Sequence, residues 1–214
     1  MKTQQIVIGF SLAFATAATI VACSADNRAA GIAGDPVLQQ QTMGTVHVCS
    51  SCHGLDGNSV SPTFPKLAGQ QVEYLKAQLV AFRDHTRADP HAHTYMWGMA
   101  AHLSDAQIAA LAGYFAGQKT SSGAAGDAAD MAAGKRLYSD GDPDHDVPAC
   151  QSCHGANGEG LDAFPKLTGQ HREYLTEQLS LFRSNVRENE IMHANTLHLN
   201  ANQARQLATY LAAQ

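Results

Sequence analysis

Residues 49–53 read Cys49-Ser50-Ser51-Cys52-His53, and residues 150–154 read Cys150-Gln151-Ser152-Cys153-His154. Two cysteines set two residues apart and followed at once by histidine form the attachment signature of c-type haem. The spacing has a chemical reason. Two thiols must add across two vinyl groups on one edge of the porphyrin, and two intervening residues lay both sulfurs along that edge. The next residue then sits under the ring and offers its imidazole to the iron. A redox disulfide or half of a zinc site also uses Cys-x-x-Cys. Neither needs the immediate histidine. A four-cysteine zinc site would also need both pairs to converge on one metal, although each lies in its own repeat. The motifs therefore predict two covalently bound haem c groups, held by Cys49, Cys52, Cys150 and Cys153, with His53 and His154 as iron ligands. Two such irons on one small chain point to electron transfer.

Outward from the motifs, the chain is an internal duplication. Phe64-Pro65-Lys66-Leu67-Ala68-Gly69-Gln70 returns as Phe164-Pro165-Lys166-Leu167-Thr168-Gly169-Gln170. Glu73-Tyr74-Leu75, Gln78-Leu79 and Phe82-Arg83 return as Glu173-Tyr174-Leu175, Gln178-Leu179 and Phe182-Arg183. A period near 100 residues is that of a duplicated domain rather than a solenoid. The apolar residues Val72, Leu75, Leu79 and Phe82 recur at helical spacing, as do Leu175, Leu179 and Phe182. Ser104 with Gln107, and Asn200 with Gln203, have the spacing of capping boxes that open a further helix in each half. A shorter helix is expected around Met131 to Tyr138, before the second motif. No alternation of period two appears, so the expected class is all-α with almost no sheet.

The amino terminus is different in kind. Lys2 precedes an apolar run from Ile6 to Ala22, which reads as an export signal and is short for a membrane span. Its end, Ile20-Val21-Ala22-Cys23, is similar to the lipobox of bacterial lipoproteins. The chain has 5 cysteines; with haem taking the motif pairs, Cys23 remains for a lipid. The organisation expected is a lipoprotein-type signal at residues 1–22, a first domain at 23–118, a linker at 119–130 and a second domain at 131–214. The net charge of −5 becomes more negative once Lys2 leaves with the signal, which argues against nucleic-acid binding.

The second axial ligand of each iron has several candidates. In the first half they are Met96, Met99 and the histidines at 47, 85, 91, 93 and 102; in the second, Met192, His171, His193 and His198. The duplication narrows the choice. Met96 and Met192 each lie eight residues before the cap of the following helix, at Ser104 and Asn200. Met99 aligns with Asn195, which cannot ligate in the same way. His102 and His198 also correspond, so bis-histidine ligation stays open. The methionines are preferred because they lie further back, in a loop expected to arch over the ring, and Met99 is read as packing. The pair His91 and His93 reads as part of a solvated loop. A methionine ligand would raise the potential and saturate the iron, so that only electrons come and go. A domain of about 90 residues has a modest core, and the haem-free chain is expected to fold poorly.

These residues resemble the cytochrome c4 family of dihaem class I c-type cytochromes. The resemblance covers nearly the whole chain after the signal: both Cys-x-x-Cys-His-Gly motifs, both Phe-Pro-Lys-Leu-x-Gly-Gln segments and both methionine-to-helix segments. It implies two tandem cytochrome c class I domains related by pseudo-twofold symmetry, methionine ligation by Met96 and Met192, and Pro65 and Pro165 carbonyls that accept the Nδ1 proton of His53 and His154. It implies a non-enzymatic electron carrier of the bacterial periplasm. The donor expected is a redox protein such as a quinol-oxidising complex, and the acceptor one such as a terminal oxidase. Lipidation at Cys23 would add a membrane tether. Two other functions remain in view: a dedicated cytochrome subunit of a dehydrogenase or oxidase complex, and a dihaem peroxidase with one displaceable ligand. The halves differ in two respects. The second carries an acidic insertion, Asp140 to Asp146, and the first has four more residues between its Phe-Pro-Lys segment and its methionine.

Overall fold

The computed structural model describes residues 35–214; the expected signal and Cys23 lie outside the described residues. Helix α1 spans Pro36–His53. Its start is set by Asp35, whose carboxylate accepts from the N–H groups of Val37 at 2.9 Å and Leu38 at 3.1 Å, and by Pro36 at the first turn, where a missing N–H is harmless. The first Cys-x-x-Cys-His motif is therefore the last turn of a long helix. In the second half, α5 runs Ala128–Asp140 and opens on Asp127, which caps Ala129 and Asp130. That cap moves the start three residues ahead of the expected Met131. The acidic insertion then interrupts the helix. Gly141 turns at φ 73°, Pro143–His145 forms one 3₁₀ turn, and Asp142 bridges to Val147. Only a short α6, Gln151–His154, carries the second motif.

The remaining elements repeat. Helices α2 (Val72–Arg83) and α7 (Arg172–Arg183) occupy the expected positions. Helices α4 (Asp105–Ala116) and α9 (Ala201–Ala212) open with both expected capping boxes. Between them lies a departure from expectation. Met96 ends a π-helical turn, Ala92–Met96, that runs into α3 (Trp97–Ala100), and Met192 lies on α8 (Glu190–Thr196). These segments are helical rather than arching loops. Among the described residues there is no strand, only the isolated bridges Asp142 to Val147 and Leu161 to Phe164.

Each half has its own core. Val46 of α1, Leu75 of α2 and Leu111, Tyr114 and Phe115 of α4 are buried together. In the second half Leu137, Tyr138, Leu175, Leu207 and Leu211 do the same. Helices α1 and α2 pack on α4, and α5 and α7 on α9. Gly134 lets α5 and α9 approach closely, because a Cβ there would collide with the Gln206 carbonyl. Each fully buried large apolar side chain contributes roughly 1.5–3 kcal/mol, so either core alone is small.

The halves meet through reciprocal contacts. Arg87 donates to Gln178 of the other half at 3.2 Å, and Arg187 donates to Gln78 at 2.9 Å. The side-chain amides of Gln70 and Gln170 bond the backbones of Lys166 and Lys66. When residue i meets j and the equivalent of i meets the equivalent of j, the surface is isologous, the signature of a twofold relation. The connection follows this seam: Ser121 N–H donates to Asn58, and Thr120 Oγ1 to the Ala68 carbonyl.

Candidate functional site

Each histidine of the Cys-x-x-Cys-His motifs is held by a clip built from the following loop. Gly57 and Gly158 adopt φ of 72° and 71°, a region that favours glycine. The Gly57 carbonyl accepts from the N–H groups of Leu67 at 2.7 Å and Ala68 at 3.1 Å; Gly158 accepts from Leu167 at 2.8 Å and Thr168 at 3.2 Å. This folds each Phe-Pro-Lys-Leu segment back beneath its histidine. His53 Nδ1 then lies 2.8 Å from the Pro65 carbonyl, and His154 Nδ1 lies 3.0 Å from the Pro165 carbonyl. A carbonyl can only accept, so Nδ1 carries the proton and Nε2 keeps its lone pair. Both rings are buried, 7% exposed each. Burial pushes both imidazoles below the usual histidine range, against the opposing pull of the proline carbonyls. Neutral imidazole with a free Nε2 is the form that binds a metal.

The motif cysteines are unpaired thiols. Burial pushes Cys49 up and Cys150 up to about 11. Raised thiols are poor candidates for redox exchange, whose cysteines are activated by lowered pKa values. No group of three or more metal-binding side chains comes together among the described residues. In α1 the i, i+3 spacing places Cys49 and Cys52 on one side of the helix end, beside the buried His53. The donor set thus fits covalently attached haem in both halves: two reduced thiols, then a neutral imidazole with its Nε2 uncommitted.

Aromatic contacts link the motif to the methionine segment. The Phe64 ring meets His53 edge-on at 6.1 Å and Tyr95, the neighbour of Met96, at 5.6 Å. Phe164 meets His154 at 6.3 Å. Met96 is partly buried against the cluster of Phe82, Ala92 and Ala100. Its turn is started by Asp89, fully buried, whose Oδ1 faces Ala92 N–H at 3.4 Å and whose Oδ2 pairs with Arg87 at 2.7 Å. Burial alone would raise the Asp89 carboxyl, but the Arg87 guanidinium holds it below the usual carboxylate range. In the second half Asn189 stands in this place and accepts from Met192 N–H at 2.9 Å.

The rival ligands are placed differently. Met99 is 56% exposed, and His102 and His198 are exposed. His193 gives its Nδ1 proton to the Phe182 carbonyl at 2.9 Å. The stretch around His91 is helical rather than a free loop, and His91 lies 3.5 Å from Glu177 of the other half. That carboxylate, an acidic neighbour not foreseen from the sequence, gives His91 a salt-bridge partner without making a metal site.

Sequence reasoning also missed a buried polar seam. Arg87 and Arg187 converge on Gln78, Gln178 and Tyr74, with Arg187 only 6% exposed. Each guanidinium lies over a phenylalanine ring of its own half, Phe82 or Phe182. The two arginines stand 100 positions apart, so the repeat offset marks them as equivalent positions, although not as neighbours across the seam.

The sequence profile of the Cytochrome c family matches residues 39–119 and again 131–214. The chain is 42% identical over 165 residues to cytochrome c4 of Azotobacter vinelandii, spanning 74% of this chain and 77% of that protein. It is 36% identical to the thiosulfate dehydrogenase electron acceptor of Thiomonas intermedia, over 78% of each chain. The crystal structure of reduced recombinant cytochrome c4 from Pseudomonas stutzeri superposes with a TM-score of 0.73 at 39% identity, covering 85% of this chain and 99% of that one.

Proposed function

This chain belongs to the cytochrome c4 family, and we propose that it carries electrons through the bacterial periplasm to a terminal oxidase or similar respiratory acceptor. It is a dihaem electron-transfer protein with two covalent haem c groups, not an enzyme. The finer reading assigns roles to residues. Cys49 and Cys52 hold one haem and Cys150 and Cys153 the other. His53 and Met96 would hold the first iron, and His154 and Met192 the second. The observation that carries it is the twice-built clip, in which a buried neutral histidine is locked by a proline carbonyl with Nε2 free.

The bound haem supplies a one-electron iron couple, and the chain supplies the rest. Each histidine is oriented before the group arrives, because its Nδ1 bond fixes the ring. Phe64 and Phe164 wall the histidines. A thioether is a neutral donor that favours the ferrous state and raises the potential relative to imidazole. Helical anchoring of both methionines by Asp89 and Asn189 limits rearrangement between oxidation states. We place the separate domains at residues 23–118 and 131–214, joined by a linker at 119–130. Cys23 is the proposed lipid attachment, and a quinol-oxidising complex is the proposed class of donor.

Potentiometric titration and visible spectroscopy of the holoprotein test the ligand assignment. Met96→Ala and Met192→Ala should each abolish the sulfur-to-iron charge-transfer band of one haem and lower its potential. Retention of both bands in either variant refutes that assignment. The likeness to the Thiomonas intermedia acceptor favours a second reading, in which the chain is dedicated to one dehydrogenase. Co-purification at fixed stoichiometry with such a partner would select it over the general carrier.

A further inference from the structure

A single peptide group connects each candidate ligand histidine to the opposite half of the molecule. The Pro65 carbonyl, which faces His53 Nδ1 at 2.8 Å, shares its peptide plane with the Lys66 N–H, and that N–H donates to Gln170 Oε1 at 2.8 Å. The mirror arrangement is complete. The Pro165 carbonyl faces His154 Nδ1 at 3.0 Å, and the Lys166 N–H donates to Gln70 Oε1 at 2.7 Å. Each amide returns a second bond: Gln170 Nε2 donates to the Lys66 carbonyl and Gln70 Nε2 to the Lys166 carbonyl, both at 2.9 Å.

The orientation of both amides is fixed. Gln70 Oε1 accepts a further N–H from Gln71 at 2.9 Å, and Gln170 Oε1 one from His171 at 3.0 Å. A flipped amide would aim its NH₂ at two N–H donors, so each oxygen must point where it does. Both glutamines are buried, 8% and 7% exposed, and water does not readily replace them.

We propose that Gln170 is a positioning residue for the first haem's histidine and Gln70 for the second's, so that each half tunes the axial ligand of the other. The inference rests on the reading of His53 and His154 as iron ligands. Its physics is the polarisation of a conjugated peptide. When the N–H end is bonded, the carbonyl end gains negative charge and accepts more strongly, by about 10–30% per bond in a chain. A stronger acceptor at Nδ1 makes the imidazole more electron-rich, which favours ferric iron. Removing the glutamine therefore weakens the ligand's donation and raises the potential of the haem in the opposite half. An amide that only glued the halves together would disturb both centres alike, or the centre of its own half.

The test uses the full-length holoprotein. Gln170→Leu and Gln70→Leu are titrated while hyperfine-shifted haem methyl resonances report each centre separately. In Gln170→Leu the haem at Cys49 and Cys52 should become easier to reduce and the other stay unchanged; Gln70→Leu should give the reverse. Direct outer partners of ligands are worth about 10–100-fold. A group one bond further out acts more weakly, so a shift of less than about tenfold in the ferrous-to-ferric ratio at fixed potential is expected. Gln170→Glu keeps an acceptor facing Lys66 N–H, so the first haem should stay at or below its wild-type potential, and this variant separates tuning from loss of packing. Equal movement of both midpoints, or movement of the haem in the variant's own half, overturns the proposal. The iron-shifted ring resonances of His53 and His154 are read in the same spectra. Their absence removes the ligand assignment, whereas their presence with uncrossed midpoints removes only the role of the glutamines.

Discussion

Burial and one backbone bond prepare His53 and His154 for their task, and the bond comes from the main chain rather than from a side chain. At Asp89 a side chain matters, because it joins two duties: it starts the turn that carries Met96 and neutralises the buried Arg87. Asp89→Asn keeps an acceptor for Ala92 N–H and removes only the charge, as Asn189 does in the second half. It leaves a guanidinium 11% exposed without its carboxylate, a loss worth about 3–5 kcal/mol for a buried pair. The folded-state pKa of Asp89 is lowered, so its contribution is present above the unfolded carboxylate value near 4 and disappears as pH falls through the lower folded value. Denaturant titration should show the full gap between wild type and variant at pH 7, narrowing below about pH 4. A constant gap would mean that the ion pair is not its source. Met99→Leu, His102→Ala and His198→Ala, all at exposed positions, should leave the visible spectrum of the holoprotein unchanged.

Helices α4 and α9 could be located from sequence because capping boxes are local devices: a side chain and an N–H three residues apart. Ser104→Ala and Asn200→Ala should each cost about 1 kcal/mol in denaturant titration of the holoprotein, with no change in either potential. The start of α1 is equally local, since Asp35 precedes Pro36 and is the cap. The methionine segments were harder. Ala92–Met96 and Trp97–Ala100 are single turns of different pitch, and α8 spans seven residues. Such lengths are marginal as isolated helices. They hold because Asp89 Oδ1 accepts from Ala92 N–H, Asn189 caps α8, and Trp97 Nε1 donates to the Arg87 carbonyl at 2.8 Å, while His193 bonds the Phe182 carbonyl. Only the chain already folded back onto itself provides those partners.

Two small cores, one polar seam and two large prosthetic groups make up the molecule. A domain of this size buries little apolar surface unaided, and a bound porphyrin would add to each core. The haem-free chain should therefore show far-ultraviolet circular dichroism well below that of the holoprotein. Full helicity without haem would show that the helices pack adequately without it. Repetition made the doubled domain, both attachment motifs and the four matched helices legible along the chain, since each depends on neighbours a few residues away or on copies at a constant offset. The pairing of Gln70 with Lys166, of Gln170 with Lys66, and of Arg87 and Arg187 across the seam was not legible. A duplicated sequence states that two surfaces are alike, but not that they face each other. That depends on how two folded bodies dock, through hydrogen bonds between residues roughly 100 positions apart, whose geometry exists only after both cores have formed.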